Sequence, residues 1–350
     1  MNSGTAIATP APRRVLIVLL GAIGDVVRAL PLLGRMRRAW PQTFIAWTVE
    51  PKSEPILRHH RWLDQLIIYD RKYAPWSFMQ FLAKVRAGRF DLVIDLQRHL
   101  KSGVISLASG AHERLGFAAA NCKEWNNLFS TRRIEPQPRM RLKLMQYQAF
   151  ADALGLAPAP VEFGLSLDSE ERREVTKFLA GTPRPLLGII LGSSWPSRLY
   201  PSESAVEVVR LLCSSGEGAS LFPVLIGDKD EMAQASQIMS ELGHRAVNLT
   251  GRTTVRSLIG IFSECAVAFG PDSGPMHIAS ALGVPTVAIF GATDEEATGP
   301  TGVHSRVVRE HVECSPCLLR ECPIDHRCMT SVTADRVVQA AESLVALEKK

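Results

Sequence analysis

Short apolar runs of strand length alternate along this chain with longer segments of helical period. Arg14 to Leu20, Phe44 to Val49, Leu66 to Tyr69 and Leu92 to Leu96 are strand-sized and rich in leucine and β-branched residues. Between the first two, a helix opens near Gly24-Asp25 and runs to Arg38, with Val26, Leu30, Leu33 and Met36 roughly on one face. Pro31 inside it predicts a kink or a later start. Trp76 to Ala87 and Lys101 to Ala108 read as further helices. The rhythm pauses over residues 132–160, where a helix from Met140 to Leu154 lies between Pro136-Gln137-Pro138 and Pro158-Ala159-Pro160. It then resumes. Strands are predicted at Leu186 to Leu191, Leu221 to Ile226, Ala266 to Phe269 and Thr286 to Phe290. Helices are predicted at Ser202 to Cys213, Glu231 to Leu242, Val255 to Ser263, Met276 to Leu282 and Val332 to Leu347.

Strands alternating with helices specify an α/β fold with parallel sheets covered on both faces. The interruption predicts two Rossmann-like domains, 13–160 and 161–350, with a cleft between them, and 350 residues suit two cores better than one. Ligands of such sheets bind beyond the carboxyl ends of the strands, so strand-to-helix junctions are the places to look for chemistry.

Composition adds little beyond an ordinary globular protein: 46% hydrophobic and 21% charged residues argue against disorder. No apolar run has the length of a membrane-spanning helix, and the polar lead before Arg13 lacks the pattern of a signal peptide. A cytoplasmic protein is expected. Charge is more informative. Residues 1–165 carry 23 Lys and Arg against 12 Asp and Glu, a net +11, whereas residues 166–350 carry 17 against 23, a net −6. The first half therefore suits an anionic partner, a phosphorylated glycolipid at a membrane surface or a nucleic acid, or it simply presents a solvated basic face.

Three junctions carry candidate chemistry. The first is Gly21-Ala22-Ile23-Gly24-Asp25. It lacks the G-x-G-x-x-G spacing of a dinucleotide site, and a carboxylate at that helix start repels a pyrophosphate. Asp25 is either a first-turn acid favoured by the helix dipole or a general base. The second is Gly192-Ser193-Ser194-Trp195-Pro196-Ser197-Arg198. Its hydroxyls, amides and guanidinium suit a diphosphate, or make a polar loop with a surface arginine. The third is Gly270-Pro271-Asp272-Ser273-Gly274-Pro275-Met276-His277. Pro275 suits a first helical turn, and the amides of Ser273 and Gly274 face an anion at a helix N-terminus. Asp272 either accepts from ribose hydroxyls or caps the helix, and His277 stands in the first turn. In the first half, Asp95-Leu96-Gln97-Arg98-His99-Leu100-Lys101-Ser102 occupies the matching place.

In this order the junctions resemble the heptosyltransferase family, glycosyltransferase family nine, over about Arg13 to Val338. Gly24, Asp25, Leu30 and Pro31 look like its opening pattern. Ser194, Arg198 and Tyr200-Pro201 look like its donor loop, and Asp272, Ser273, Gly274 and His277 like its late motif. Arg198 and Tyr200 stand where lysine and tryptophan are common in the family. The resemblance implies a GT-B fold and an inverting, metal-independent transfer of heptose from ADP-heptose to inner-core lipopolysaccharide, with no cofactor. It implies that Asp25 is the base, and that Ser193, Ser194, Arg198, Thr253, Asp272, Ser273, Gly274 and His277 bind the ADP-sugar. Gln97, Arg98, Lys101 and Ser102 would face an anionic glycolipid at the inner membrane surface, and no nucleic acid would be bound. Alternatives are a transferase with another nucleotide-sugar or a protein acceptor, and a non-catalytic nucleotide-binding protein. A nicotinamide oxidoreductase is disfavoured by the missing glycine fingerprint. The oligomeric state is not specified by any of these patterns.

Four of the seven cysteines, Cys314, Cys317, Cys322 and Cys328, fall within 15 residues. The density is that of a zinc or iron–sulfur site, but a second C-x-x-C unit is missing. Without a secretory signal a disulfide framework is not expected. Reduced or adventitiously paired thiols are the favoured reading, with no metal in the reaction.

Overall fold

The computed structural model describes residues 11–73, 75–138, 141–214 and 221–348; most of the polar lead before Arg13, and Met140, lie outside them. The chain divides into two compact units, Met1–Gly164 and Leu165–Lys350. In the first, β1 (Arg14–Val18), β2 (Phe44–Val49), β3 (Gln65–Ile68), β4 (Leu92–Asp95), β5 (Glu113–Gly116) and β6 (Arg132–Arg133) form one parallel sheet in the order β3-β2-β1-β4-β5-β6. Its helices are α1 (Ile23–Ala39), α2 (Glu54–Leu57), α3 (Trp76–Ala87), α4 (Leu100–Ala108) and α5 (Lys143–Ala153).

The second unit contains β7 (Leu186–Ile190), β8 (Phe222–Ile226), β9 (Val247–Asn248), β10 (Cys265–Pro271), β11 (Thr286–Phe290) and β12 (Ser305–Arg309). They too pair in parallel, in the order β12-β11-β10-β7-β8-β9. Its helices are α6 (Ser169–Phe178), α7 (Ser202–Ser214), α8 (Met232–Leu242), α9 (Val255–Ser263), α10 (Gly274–Ala281), α11 (Glu295–Thr298), α12 (Arg327–Thr330) and α13 (Ala334–Glu348). No helix among the described residues is long and apolar enough to cross a membrane.

Each sheet has the Rossmann order, which reverses direction between its first strand and its fourth. The reversals fall between β1 and β4 and between β7 and β10. The junctions that hold Asp25, Asp95, Ser193 and Asp272 each lie at the end of one of these four strands, whereas Thr253 follows β9. The central strands are buried on both faces, as in Val15–Val18, Val93–Ile94 and Leu186–Leu187. That is why they read as continuous apolar runs rather than alternating ones.

Two expectations need correction. The first helix does not start after Pro31: α1 runs through it. The residues on both sides, Val26, Val27, Leu30, Leu32 and Leu33, are wholly buried, and that packing outweighs the hydrogen bond the proline cannot make. The first strand stops at Val18 rather than Leu20. The Leu19 carbonyl accepts from Trp47 Nε1 at 3.1 Å and the Leu20 amide donates to Gln97 Oε1 at 3.2 Å, so both leave the ladder for side-chain partners.

Gly270 allows β10 to press against β7. Its φ is 154°, and a Cβ there would stand 2.3 Å from the Ile190 carbonyl oxygen. No larger residue fits without moving one strand off the other.

Candidate active site

In the first unit, Asp25 occupies the first turn of α1, and its side chain is 24% exposed. Ala22, not Asp25, is the N-cap residue of the helix. Instead Asp25 Oδ1 accepts from Lys143 Nζ at 2.7 Å and from Arg28 at 3.2 Å. Gly21 makes room for it, since a Cβ at Gly21 would come within 3.2 Å of Asp25 Cβ. Lys143 belongs to α5, which α1 holds through buried Arg35. That guanidinium reaches Gln148 and Asp152, each at 2.9 Å, and the carbonyl oxygen of Leu156.

The junction after β4 meets this turn. Arg98 donates to Gln146 of α5 and stacks 4.3 Å from the Phe117 ring. Burial lowers its pKa, while Tyr147, Cys122 and Asp25 act in the opposite sense. Tyr147 is raised, first by burial and then by the charge of Asp25. Lys101 lies 3.7 Å from Glu50 and 5.3 Å from the Tyr69 ring centre, with its pKa lowered by desolvation and by Arg71. Gln97 is pinned to the Leu20 amide. Ser102, only 1% exposed, donates to Asp95 at 3.0 Å. It faces inward and anchors its loop, unlike Arg98 and Lys101.

Asp95 is the organising group of that loop. It is 2% exposed and accepts from the Gln97 amide, from Ser102 and from Asn126 Nδ2, the last at 2.9 Å. Burial pushes its pKa up to about 6 against the opposing pull of these hydrogen bonds. A raised carboxyl pKa contributes stability that is present below the unfolded value near 4 and is lost as pH rises through about 6. The shift corresponds to roughly 3 kcal/mol. Asp95→Asn removes this dependence. Urea unfolding at about pH 4 and about pH 7 will therefore show the variant's deficit relative to wild type shrinking by about that amount. An equal deficit at both values contradicts the assignment.

In the second unit, Asp272 plays the same organising part at the end of β10. It is 3% exposed. Oδ2 accepts from Thr293 Oγ1 at 2.8 Å and faces Arg198 at 3.3 Å, and Oδ1 faces His277 Nε2 at 3.3 Å. The Asp272 carbonyl also accepts from Ser193 Oγ at 2.8 Å and from Arg198 at 3.4 Å. A buried aspartate thus ties together the loops after β7, β10 and β11. Ser273, not Asp272, caps α10: its side chain accepts from the Met276 amide. Pro275 sits in the first turn, where no amide donor is needed. Arg198 is 15% exposed and lies over the Trp195 ring at 4.1 Å, which fixes its plane. Ser194 is exposed and Thr253 is half-buried, just before the N-cap Thr254 of α9. Tyr200 is a core residue: its hydroxyl donates to the Val332 carbonyl at 3.0 Å, and burial pushes its pKa up to about 12.

The pattern of junctions missed Lys143, Gln146 and Tyr147. Their i, i+3, i+4 spacing puts them on one helical face, which is the signal that could have found them. It also missed Asn126 and the part Thr293 plays.

Residues 78–327 match the family described as "Glycosyltransferase family 9 (heptosyltransferase)". The lipopolysaccharide core heptosyltransferase OpsX of Haemophilus influenzae is 26% identical over 305 residues, which cover 87% of this chain and 86% of that one. Lipopolysaccharide heptosyltransferase 1 of Pseudomonas aeruginosa is 27% identical over 320 residues, covering 88% and 87%. The solved ADP-heptose lps heptosyltransferase II of E. coli superposes with a TM-score of 0.77 at 20% identity, over 96% of this chain and 100% of that one. Its fold is therefore the fold of the two units described above. On the family match over most of its length, the chain belongs to glycosyltransferase family 9, the heptosyltransferases, and has the GT-B fold.

Proposed function

We propose that this glycosyltransferase moves heptose from ADP-heptose to an inner-core lipopolysaccharide acceptor, with inversion at the anomeric carbon and without a metal ion in the reaction. The observation that carries the donor half is the set of groups joined at Asp272. Arg198 is held by a buried carboxylate and an indole face at the reversal point of the second sheet. The amides at Ser273-Gly274 open a helix beside it. A fixed guanidinium and a helix N-terminus are complementary to a diphosphate. Ser193, Ser194, Thr253 and His277 complete the donor pocket in this reading, and Asp272 acts by holding Arg198 and His277.

In the proposed reaction Asp25 takes the proton from the acceptor hydroxyl, whose oxygen then bonds to the anomeric carbon as the bond to ADP breaks. Lys143 and Arg28 keep its carboxylate oriented. The acceptor belongs to the first unit, with Arg98 and Lys101 facing its anionic groups and Gln97 and Ser102 shaping the loop that presents them. A net charge of +11 over residues 1–165 favours a Kdo- and phosphate-bearing glycolipid at the inner membrane surface, met from the cytoplasm.

Titration calorimetry with ADP, UDP and GDP tests the donor half. Only ADP should bind well, and ADP-heptose should then release ADP in an acceptor-dependent manner. Equal affinity for the three nucleotides, or ADP release that ignores the acceptor, contradicts the proposal.

A further inference from the structure

We infer that Lys143 is an exchangeable counter-ion: it holds Asp25 before the acceptor arrives and passes to an anionic group of the acceptor, a carboxylate or a phosphate, when it binds. This role rests on the proposed reading of Asp25 as general base and of the acceptor as anionic. Asp25 carries two cations on one oxygen, Lys143 Nζ at 2.7 Å and Arg28 at 3.2 Å, both on Oδ1. Cations so close favour the ionised carboxylate and weaken it as a base. Taking a proton from a sugar hydroxyl needs a carboxylate oxygen within reach of that hydroxyl and basic enough to hold the proton. The pairing that orients Asp25 therefore also restrains it.

Of the two cations, one is built to stay and the other to move. Arg28 lies on the same helix as Asp25, one turn on, with its side chain only 4% exposed. Lys143 reaches in from α5 and is 35% exposed, a compact ammonium on a flexible stem. Nothing in α5 itself favours lysine at that position. Lys143 is the first residue of the helix, after the N-cap Leu142, where the helix dipole disfavours a cation. Its reason for being there lies across the turn, at Asp25.

The other groups that the charge of Asp25 reaches are Arg98, in the loop after β4, and Tyr147, one turn along α5 from Lys143. Burial, and then the charge of Asp25, keeps the proton on the Tyr147 phenol, so it adds no charge. Gln146, on the same face of α5, accepts from Arg98 and holds it beside them. Arg28, Lys143 and Arg98 thus set three cations around one carboxylate. That excess attracts a second anion to the turn. An anion that takes Lys143 leaves Arg28 to hold Asp25 and restores its basicity. An acceptor without the anion leaves Lys143 where it is, so the exchange ties the strength of the base to the identity of the acceptor.

The test uses the full-length protein with Kdo-bearing lipid A as acceptor, and the same glycolipid with its carboxylates methyl-esterified or its phosphates removed. Lys143→Met should raise KM for the charged glycolipid at least about tenfold, and Lys143→Arg should recover most of the loss. Esterification, where a carboxylate is the exchanged group, or dephosphorylation, where a phosphate is, should weaken the wild type by a similar factor and Lys143→Met no further. The pH profile separates exchange from a fixed tether. The acidic limb of kcat/KM reports the base before the acceptor binds, and that of kcat reports it in the complex. Lys143→Met should move the limb of kcat/KM to higher pH, because the cation that favoured the carboxylate is gone, and leave the limb of kcat in place. Limbs that move together, or an unchanged KM, overturn the exchange. Should Lys143→Met fail to fold, the wild type gives the same answer: its kcat limb should lie at higher pH than its kcat/KM limb with the charged glycolipid and coincide with it when the exchanged group is neutralised. Limbs that coincide with every acceptor overturn the exchange as well. Undiminished turnover in Asp25→Asn would instead defeat the base assignment, so the two failures are read from different variants.

Discussion

Asp25→Asn will lower the rate of sugar transfer by about 10² to 10⁴ and leave ADP binding intact. The expectation follows from where Asp25 stands. The N-cap of its helix is Ala22, and Asp25 follows in the first turn. Its carboxylate is instead turned toward Lys143 and Arg28 and remains 24% exposed. Asparagine has the same shape and still offers an oxygen to both cations, so the fold and the basic surroundings survive. It cannot take a proton. Rate and binding therefore separate, which a merely structural role for Asp25 would not produce. Unchanged turnover would remove it from the chemistry.

Arg198→Ala should act on the donor instead. A charge-assisted hydrogen bond to phosphate is worth about 1.5–3 kcal/mol, so ADP affinity should fall by roughly tenfold to 150-fold in calorimetry. Arg198→Lys should recover only part of it, because a point charge reproduces neither the planar fork nor the stacking on Trp195. Unchanged ADP affinity in Arg198→Ala would contradict a phosphate-binding role and leave Arg198 as a structural partner of Asp272.

The sequence announced the inner strands clearly, because a strand buried on both faces needs an unbroken apolar run. β7 is five buried residues. Edge strands β6 and β12 carry no such mark. β6 is Arg132–Arg133, exposed at both positions, and in β12 only Val308 is buried. α6 went unread for a related reason: of its ten residues only Val175 is buried, so no apolar stripe forms. The glycine-rich junctions were legible because a strand-to-helix turn restricts which residues can occupy it. Partners that arrive from distant segments were not. Lys143 comes to Asp25 from 118 residues away, Asn126 to Asp95 from 31, and Thr293 to Asp272 from 21. Local pattern cannot encode those meetings. Nor did it show that Asp272 is buried and is the post to which Arg198 and His277 are tied.

The central claim is transfer of heptose from ADP-heptose to an inner-core acceptor. The most direct measurement is incubation of the wild-type chain with ADP-heptose and a panel of truncated core glycolipids, read by mass spectrometry of the acceptor. One member of the panel should gain a single heptose, and the same reaction with Asp25→Asn should leave it almost unmodified. A panel that stays unchanged in mass, while the protein binds ADP, would make this chain a nucleotide binder rather than the transferase proposed.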